Sequence, residues 1–152
     1  MTLRLSPGAG LDAILLLLAV VWATDTGAFF AGARHCGAKL WPVVSPNKTW
    51  AGAIGGLVAG ALAGFIVLAL RHVAFGLPLA AIVVLLSIAS QGGDLFESFV
   101  KRRFGAKDSG RLVPGHGGLM DRVDGLAVAA GLAAVIGWLH IAADPGQGLL
   151  AW

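Results

Sequence analysis

Apolar residues fall along this chain in four blocks, separated by three polar interruptions. The blocks cover Leu11–Ala33, Ala51–Leu70, Phe75–Gln91 and Val123–Ala143. A bilayer-crossing helix needs about 20 predominantly apolar residues, with roughly 17 as a lower limit, and each block meets that length. Between them lie Arg34–Trp50, Arg71–Ala74 and Gly92–Arg122. Pro42 and Pro46 keep the first interruption from continuing as helix, because proline lacks the N–H that the helical ladder uses. The pattern predicts an all-α integral membrane protein with about four transmembrane helices and two polar loops, residues 1–152 forming a single transmembrane domain.

Composition strengthens that reading. Hydrophobic residues make up 57% and charged residues 12%, against about 25% charged in ordinary soluble domains; the mean hydropathy is +0.83. The 23 glycines show no fixed period, which excludes collagen, and they suit close helix–helix approach in a bilayer. A net charge of +3 does not indicate nucleic-acid binding, because most cations adjoin carboxylates and hydrophobic spans. Cys36 is the only cysteine, so no internal disulfide can form, and a role as small apolar filler is expected. The start lacks a cleavage site, and no removable leader is expected.

Lysine and arginine divide unevenly between the two sides that four crossings define. The first and third loops carry Arg34, Lys39, Lys48, Lys101, Arg102, Arg103, Lys107 and Arg111; the other side has Arg4 and Arg71, with Arg122 at a span edge. The positive-inside rule then places both polar loops in the cytoplasm, as in a multi-pass protein of a bacterial-type inner membrane. Trp41 and Trp50, near span ends, suit interfacial anchoring.

Chemistry concentrates in the third loop. From Asp94 to Asp124 eleven side chains are charged: Asp94, Glu97, Asp108, Asp121 and Asp124 among Lys101, Arg102, Arg103, Lys107, Arg111 and Arg122. Acids that hold a divalent metal, cations that hold phosphate and glycines that admit close backbone approach are what phosphoryl chemistry requires. Asp94, Glu97 and Lys101 would share a face if the third span continued as helix, either as a metal- and phosphate-binding face or as a solvated Glu97–Lys101 pair. The Lys101–Arg103 cluster also reads as a stop-transfer signal or an anionic-lipid contact. Asp124 follows Asp121 by three residues and forms a second paired-acid site. His116, in Pro114-Gly115-His116-Gly117-Gly118, reads as a phosphate donor, a metal ligand or a turn residue.

Two upstream motifs carry polar groups into apolar surroundings. Asp25 lies inside the first span, where a carboxylate costs about 2.5–3.5 kcal/mol at mid-bilayer; it serves either a functional cavity or a structural hydrogen bond between helices. Ser45, Lys48 and Thr49 precede a glycine-rich helix start. They can bind anionic oxygen or simply open the helix, and the spacing is not that of a Walker A loop.

These residues resemble the phosphatidate cytidylyltransferase (CDP-diacylglycerol synthase) family. The likeness is dense from Ser98 to Asp124, through S-F-V-K-R, K-D-S-G, P-G-H-G-G and D-R-V-D in order and spacing, with D-T-G-A-F-F-A-G at Asp25–Gly32 and S-P-N-K-T-W at Ser45–Trp50 upstream. It covers the chain from the first span onward and corresponds to the catalytic C-terminal half, without the family's N-terminal spans. One departure is Ala51, where members commonly carry glutamate.

The resemblance implies transfer of a cytidylyl group from CTP to phosphatidate, giving CDP-diacylglycerol and pyrophosphate in phospholipid biosynthesis. It implies that Asp94 and Asp121 hold divalent metal. The catalytic candidates are Asp94, Glu97, Lys101, Asp108 and Asp121; the substrate-binding candidates are Asp25, Ser45, Lys48, Thr49, Arg102, Lys107, His116 and Arg122; the metal candidates are Asp94, Asp121 and Asp124. Mg2+ is the expected cofactor, with a second cation a further expectation. CTP, phosphatidate, membrane lipids and a second copy of the chain are the expected partners, and nucleic acid is not. Two other readings stay open: a CTP- or ATP-dependent kinase of a polyprenol or phytol, and a non-enzymatic membrane subunit or ion pathway using Asp25, Asp94 and Asp121 as relay acids.

Overall fold

A computed structural model describes residues 9–34, 37–74, 76–104, 124–141 and 144–152. Its elements run α1 (Ala9–Arg34), β1 (Lys39–Trp41), β2 (Ser45–Thr49), α2 (Trp50–Leu70), α3 (Leu77–Arg103), α4 (Asp124–His140) and α5 (Pro145–Leu150). Helices α1, α2 and α3 are long and apolar enough to cross a membrane; α4, with 17 residues, is the shorter apolar fourth. This is the helical membrane architecture read from the sequence. In lipid, only a helix or a closed barrel satisfies every backbone polar group internally, so apolar runs of this length become helices.

Two elements depart from the expected outline. Helix α3 does not stop near Gln91 but runs on to Arg103, 27 residues or roughly 40 Å in all. Nothing between Gln91 and Arg103 breaks the helical ladder, since glycine weakens a helix without removing its hydrogen bonds. The first polar loop is not irregular throughout. Strands β1 and β2 pair antiparallel, with Lys39 opposite Thr49 and Trp41 opposite Ser45, closed by a turn in which Val44 N donates to Trp41 O at 3.1 Å.

The bundle is built on small-residue stripes. Gly52, Gly56, Gly60 and Gly64 recur every fourth residue on the buried face of α2, and Gly125, Ala129, Ala133 and Gly137 do the same on α4. A side chain at Gly56 would place its Cβ 2.7 Å from Thr24 O, so the backbones of α1 and α2 touch directly. The bulky partners come from the other two long helices: Leu16, Leu17, Val20 and Val21 of α1 and Leu79, Ile82, Val83 and Leu86 of α3. On α2 the opposite stripe, Ile54, Val58, Leu62, Ile66 and Leu70, is exposed, as suits a surface whose solvent is lipid.

Polar groups inside the bundle are few. Thr24 Oγ1 and Ser87 Oγ share a fully buried hydrogen bond of 2.8 Å between α1 and α3, next to Gly60 of α2. At the end remote from the hairpin, Asp12 of α1 pairs with Arg71 just past α2. Short α5 folds back there, its Gly148 carbonyl meeting His140 Nδ1 at 2.9 Å.

Candidate functional site

One cavity of about 730 Å³ opens beneath the hairpin, where the polar ends of the four long helices meet. Five of the predicted residues line it: Asp25 from α1, Lys48 and Thr49 from β2, Asp94 from α3 and Asp124 from α4. The sequence spreads them over a hundred positions; antiparallel crossings return them to one level.

Backbone proximity makes this convergence possible. A Cβ at Gly125 would fall 2.5 Å from Asp94 Oδ1 and 2.9 Å from Ser90 Oγ, and one at Gly93 would fall 3.2 Å from Asp124 O. Two glycines facing each other therefore bring α3 and α4 into contact at the level of the two acids. Asp25, Asp94 and Asp124 line this one cavity and Glu97 follows Asp94 by three residues on α3, close enough for the four carboxylates to feel one another's charge. Carboxylates gathered this way need a proton or a cation between them.

Lys48 supplies the opposing charge. Its Nζ lies 3.3 Å from Asp94 Oδ2, an ion-pair contact without hydrogen-bond geometry. The ammonium is buried, and no hydrogen-bond acceptor among the described residues meets it. A three-donor group held in that condition suits an incoming anion. Thr49 Oγ1 accepts from Gly52 N at 3.0 Å, so its oxygen caps α2, while its side chain still faces the cavity. The helix-opening reading of this threonine is the one its hydrogen bond shows.

Other predicted residues lie elsewhere. Glu97 and Lys101 share the face of α3 below Asp94, as the spacing required, and pair with each other at 3.1 Å outside the cavity lining. Ser45 sits at the far end of β2 and Arg102 is exposed near the end of α3; neither lines the cavity. Asp108, Lys107, Arg111, His116, Asp121 and Arg122, with Cys36, lie outside the described residues. Among the described residues no three His, Cys, Asp or Glu side chains form a ready metal-ligand set.

Two lining residues were not singled out in advance. Gln91 sits three residues before Asp94, donating from Nε2 to Ala53 O at 3.3 Å and so tying α3 to the first turns of α2. Its signal was a polar amide at the end of an apolar run. Asn47 was hidden inside a quoted motif whose lysine and threonine drew attention first. Ala51, the departure from the family pattern, does not line the cavity.

A helical membrane bundle with a carboxylate-lined, lysine-bearing cavity at one face defines the class of this protein. The chain belongs to the cytidylyltransferase family, whose model matches residues 1–140. It is 53% identical over 135 residues to the phosphatidate cytidylyltransferase of Brucella suis, covering 89% of this chain and 50% of that protein. Against the phosphatidate cytidylyltransferases of Staphylococcus haemolyticus and Staphylococcus aureus, identity is 50% and 48% over 118 residues, covering 76% of this chain and 45% of each relative. The chain spans about half the length of the curated relatives it matches.

Proposed function

We propose that this chain carries the catalytic half of a phosphatidate cytidylyltransferase, joining CTP to phosphatidate at the membrane surface with the cavity facing the cytoplasm. The observation that supports this most directly is the convergence of Lys48 with Asp25, Asp94 and Asp124 on one cavity. The excess of lysine and arginine around that end supports the orientation.

The reaction asks little of a general base. A phosphomonoester has a second pKa of about 6, so phosphatidate near pH 7 is largely a dianion and already a nucleophile. Its oxygen attacks the α-phosphorus of CTP, forming the new P–O bond while the bond to the β-phosphate oxygen breaks and pyrophosphate leaves. The obstacle is the repulsion between two polyanions. Lys48 lowers it by donating to a phosphate oxygen from an ammonium that lines the cavity and has hydrogen-bonding capacity to spare. Gln91 ties α3 to the first turns of α2, whose N-terminus Thr49 caps, and so keeps Lys48 beside Asp94.

Asp94 and Asp124, which line the same cavity, would hold a divalent cation together with Asp121, the expected third ligand. Such a cation, Mg2+ by preference, supplies charge neutralisation of the triphosphate when bound. The carboxylates themselves orient the site through Gly125 N, which donates to Asp124 Oδ1 at 2.7 Å.

The test is an assay of the purified chain in lipid nanodiscs with phosphatidate, Mg2+ and CTP labelled at either the α- or the γ-phosphate. Label in the lipid from α and not from γ, lost with a chelator and in Asp94→Asn and Asp124→Asn, is the expected result. Transfer of γ-label would make the protein a lipid kinase, and no nucleotide-dependent product would overturn the enzyme reading for this chain.

A further inference from the structure

A second, apolar groove lies on the outer surface of the bundle, between α1 and α2, at the end remote from the acid cavity. Its volume is about 320 Å³, and Leu15, Leu18, Trp22, Val67, Leu70 and Arg71 line it. All but the last are apolar. From Leu15 to Trp22 it follows α1 for seven residues, roughly 10 Å of axial rise. Arg71 closes the end near the helix termini, where headgroups lie, and Trp22 marks the end toward the bilayer middle.

Trp22 is 62% exposed and sits ten residues along α1 from Asp12, about 15 Å from the headgroup level. Tryptophan concentrates at membrane interfaces, where its N–H meets water and headgroups. A large indole wall deep in the lipid-facing surface, continuous with a cationic rim, has the outline of a chain-and-headgroup site.

The rim supports the same conclusion. Arg71 Nε pairs with Asp12 Oδ1, which fixes the plane of the guanidinium. The Asp12 side chain is 16% exposed and that of Arg71 is 42% exposed, so the pair turns its positive member outward. A guanidinium held by Nε presents its fork of Nη donors to a planar or tetrahedral oxyanion, and matches phosphate in two-point geometry. Helix termini in this position meet phospholipid headgroups, and an acyl chain has the apolar character and the length to lie in a groove running along α1.

We propose that this groove binds one anionic phospholipid, its acyl chain running along α1 from Leu15 to Trp22 and its phosphodiester held by Arg71. The site lies on the opposite end of the bundle from the cavity of the proposed reaction and does not depend on that reaction. Its occupant joins α1 to α2 at the end where glycine contacts give way to bulkier side chains, complementing the Asp12–Arg71 pair.

The experiment uses the full chain, delipidated in a neutral detergent and titrated with phosphatidylglycerol or with phosphatidylcholine of the same chains, followed by native mass spectrometry and thermal unfolding. One equivalent of phosphatidylglycerol should be retained, at least about tenfold more tightly than phosphatidylcholine, with a rise of several degrees in Tm. Arg71→Gln should abolish the preference and Arg71→Lys should retain part of it. Because Arg71→Gln also breaks the pair with Asp12, Ala19→Phe is the second variant: Ala19 lines the same groove, and a ring there fills it while leaving the ion pair intact. Loss of the retained lipid in a folded Ala19→Phe protein supports the site. Equal retention of both lipids by the parent chain, or an unchanged preference in both Arg71→Gln and Ala19→Phe, would overturn it.

Discussion

Lys48 Nζ stands 3.3 Å from Asp94 Oδ2, joining the strand that opens α2 to the helix that carries Asp94 and Glu97. The contact places a buried ammonium on the acid side of one cavity, with hydrogen-bonding capacity left over. Replacing Lys48 by Met removes that charge and leaves Asp94 without its cation. Turnover of CTP in nanodiscs should fall by about 10²-fold, the usual scale for losing one preorganised donor to a charged transition state. Lys48→Arg should recover part of it. A parent-like rate in Lys48→Met would reduce the pair to a structural contact.

Gly125 offers a way to disturb the acids without touching them. A Cβ there would lie 2.5 Å from Asp94 Oδ1 and 3.0 Å from Ser90 O, so Gly125→Ala must push the carboxylate aside or move α4 outward. A displacement of the order of 1 Å costs up to about 10²-fold in rate. Gly131 of the same helix has nothing within 4 Å of its would-be Cβ, so Gly131→Ala should keep the parent activity. Parallel rate measurements on the two alanine variants distinguish a site effect from a helix effect.

Thr24 and Ser87 predict a stability effect. Their 2.8 Å bond is fully buried between α1 and α3, and interhelical hydrogen bonds in membranes average about 0.6 kcal/mol, reaching about 1.7. Thr24→Val should destabilise by an amount in that range, and a double-mutant cycle with Ser87→Ala should assign most of it to the pair. Gly60→Ala should cost more, because its Cβ would press on Thr24 Oγ1 and lie 3.1 Å from both Ser87 Oγ and Val20 O. Unfolding measurements in bicelles would test the order, which reverses if the helices separate easily at this level.

His72 occupies the left-handed region with φ 53°, at the turn that ends α2, where Val73 N donates to Leu68 O at 3.0 Å. Glycine is the residue that this helix ending favours, since a Cβ there is strained. His72→Gly should raise stability by about 1 kcal/mol and Tm by a few degrees, without altering turnover. A lowered Tm would mean that the imidazole makes a contact worth more than the relieved strain.

Much of the fold was legible because a bilayer leaves few options. Long apolar runs must become helices, and only the outer limits of α1, α2 and α4 needed adjustment. Helix α3 was read too short because its apolar signal ends near Gln91, whereas helical hydrogen bonding does not depend on side-chain polarity. The hairpin was missed because Pro42 and Pro46 argue only against helix; the pairing of Lys39 with Thr49 is a long-range choice that local composition does not encode. Of the candidate site, Lys48, Asp25, Asp94 and Asp124 were recognisable as charges out of place in apolar company, while Gln91 and Asn47 carry no charge to attract notice.

Hydrophobic length and motif spacing are one-dimensional properties, so the amino-acid order alone was enough to read a helical membrane protein, the residues that carry its charge and the family it belongs to. Which charges meet was decided only in three dimensions. Glycine and alanine stripes on α2 and α4 let backbones touch, and that contact sets the axial register that brings Asp25, Asp94 and Asp124 around Lys48 while leaving Ser45 and Arg102 outside. Register is a property of packed surfaces, and no single segment contains it.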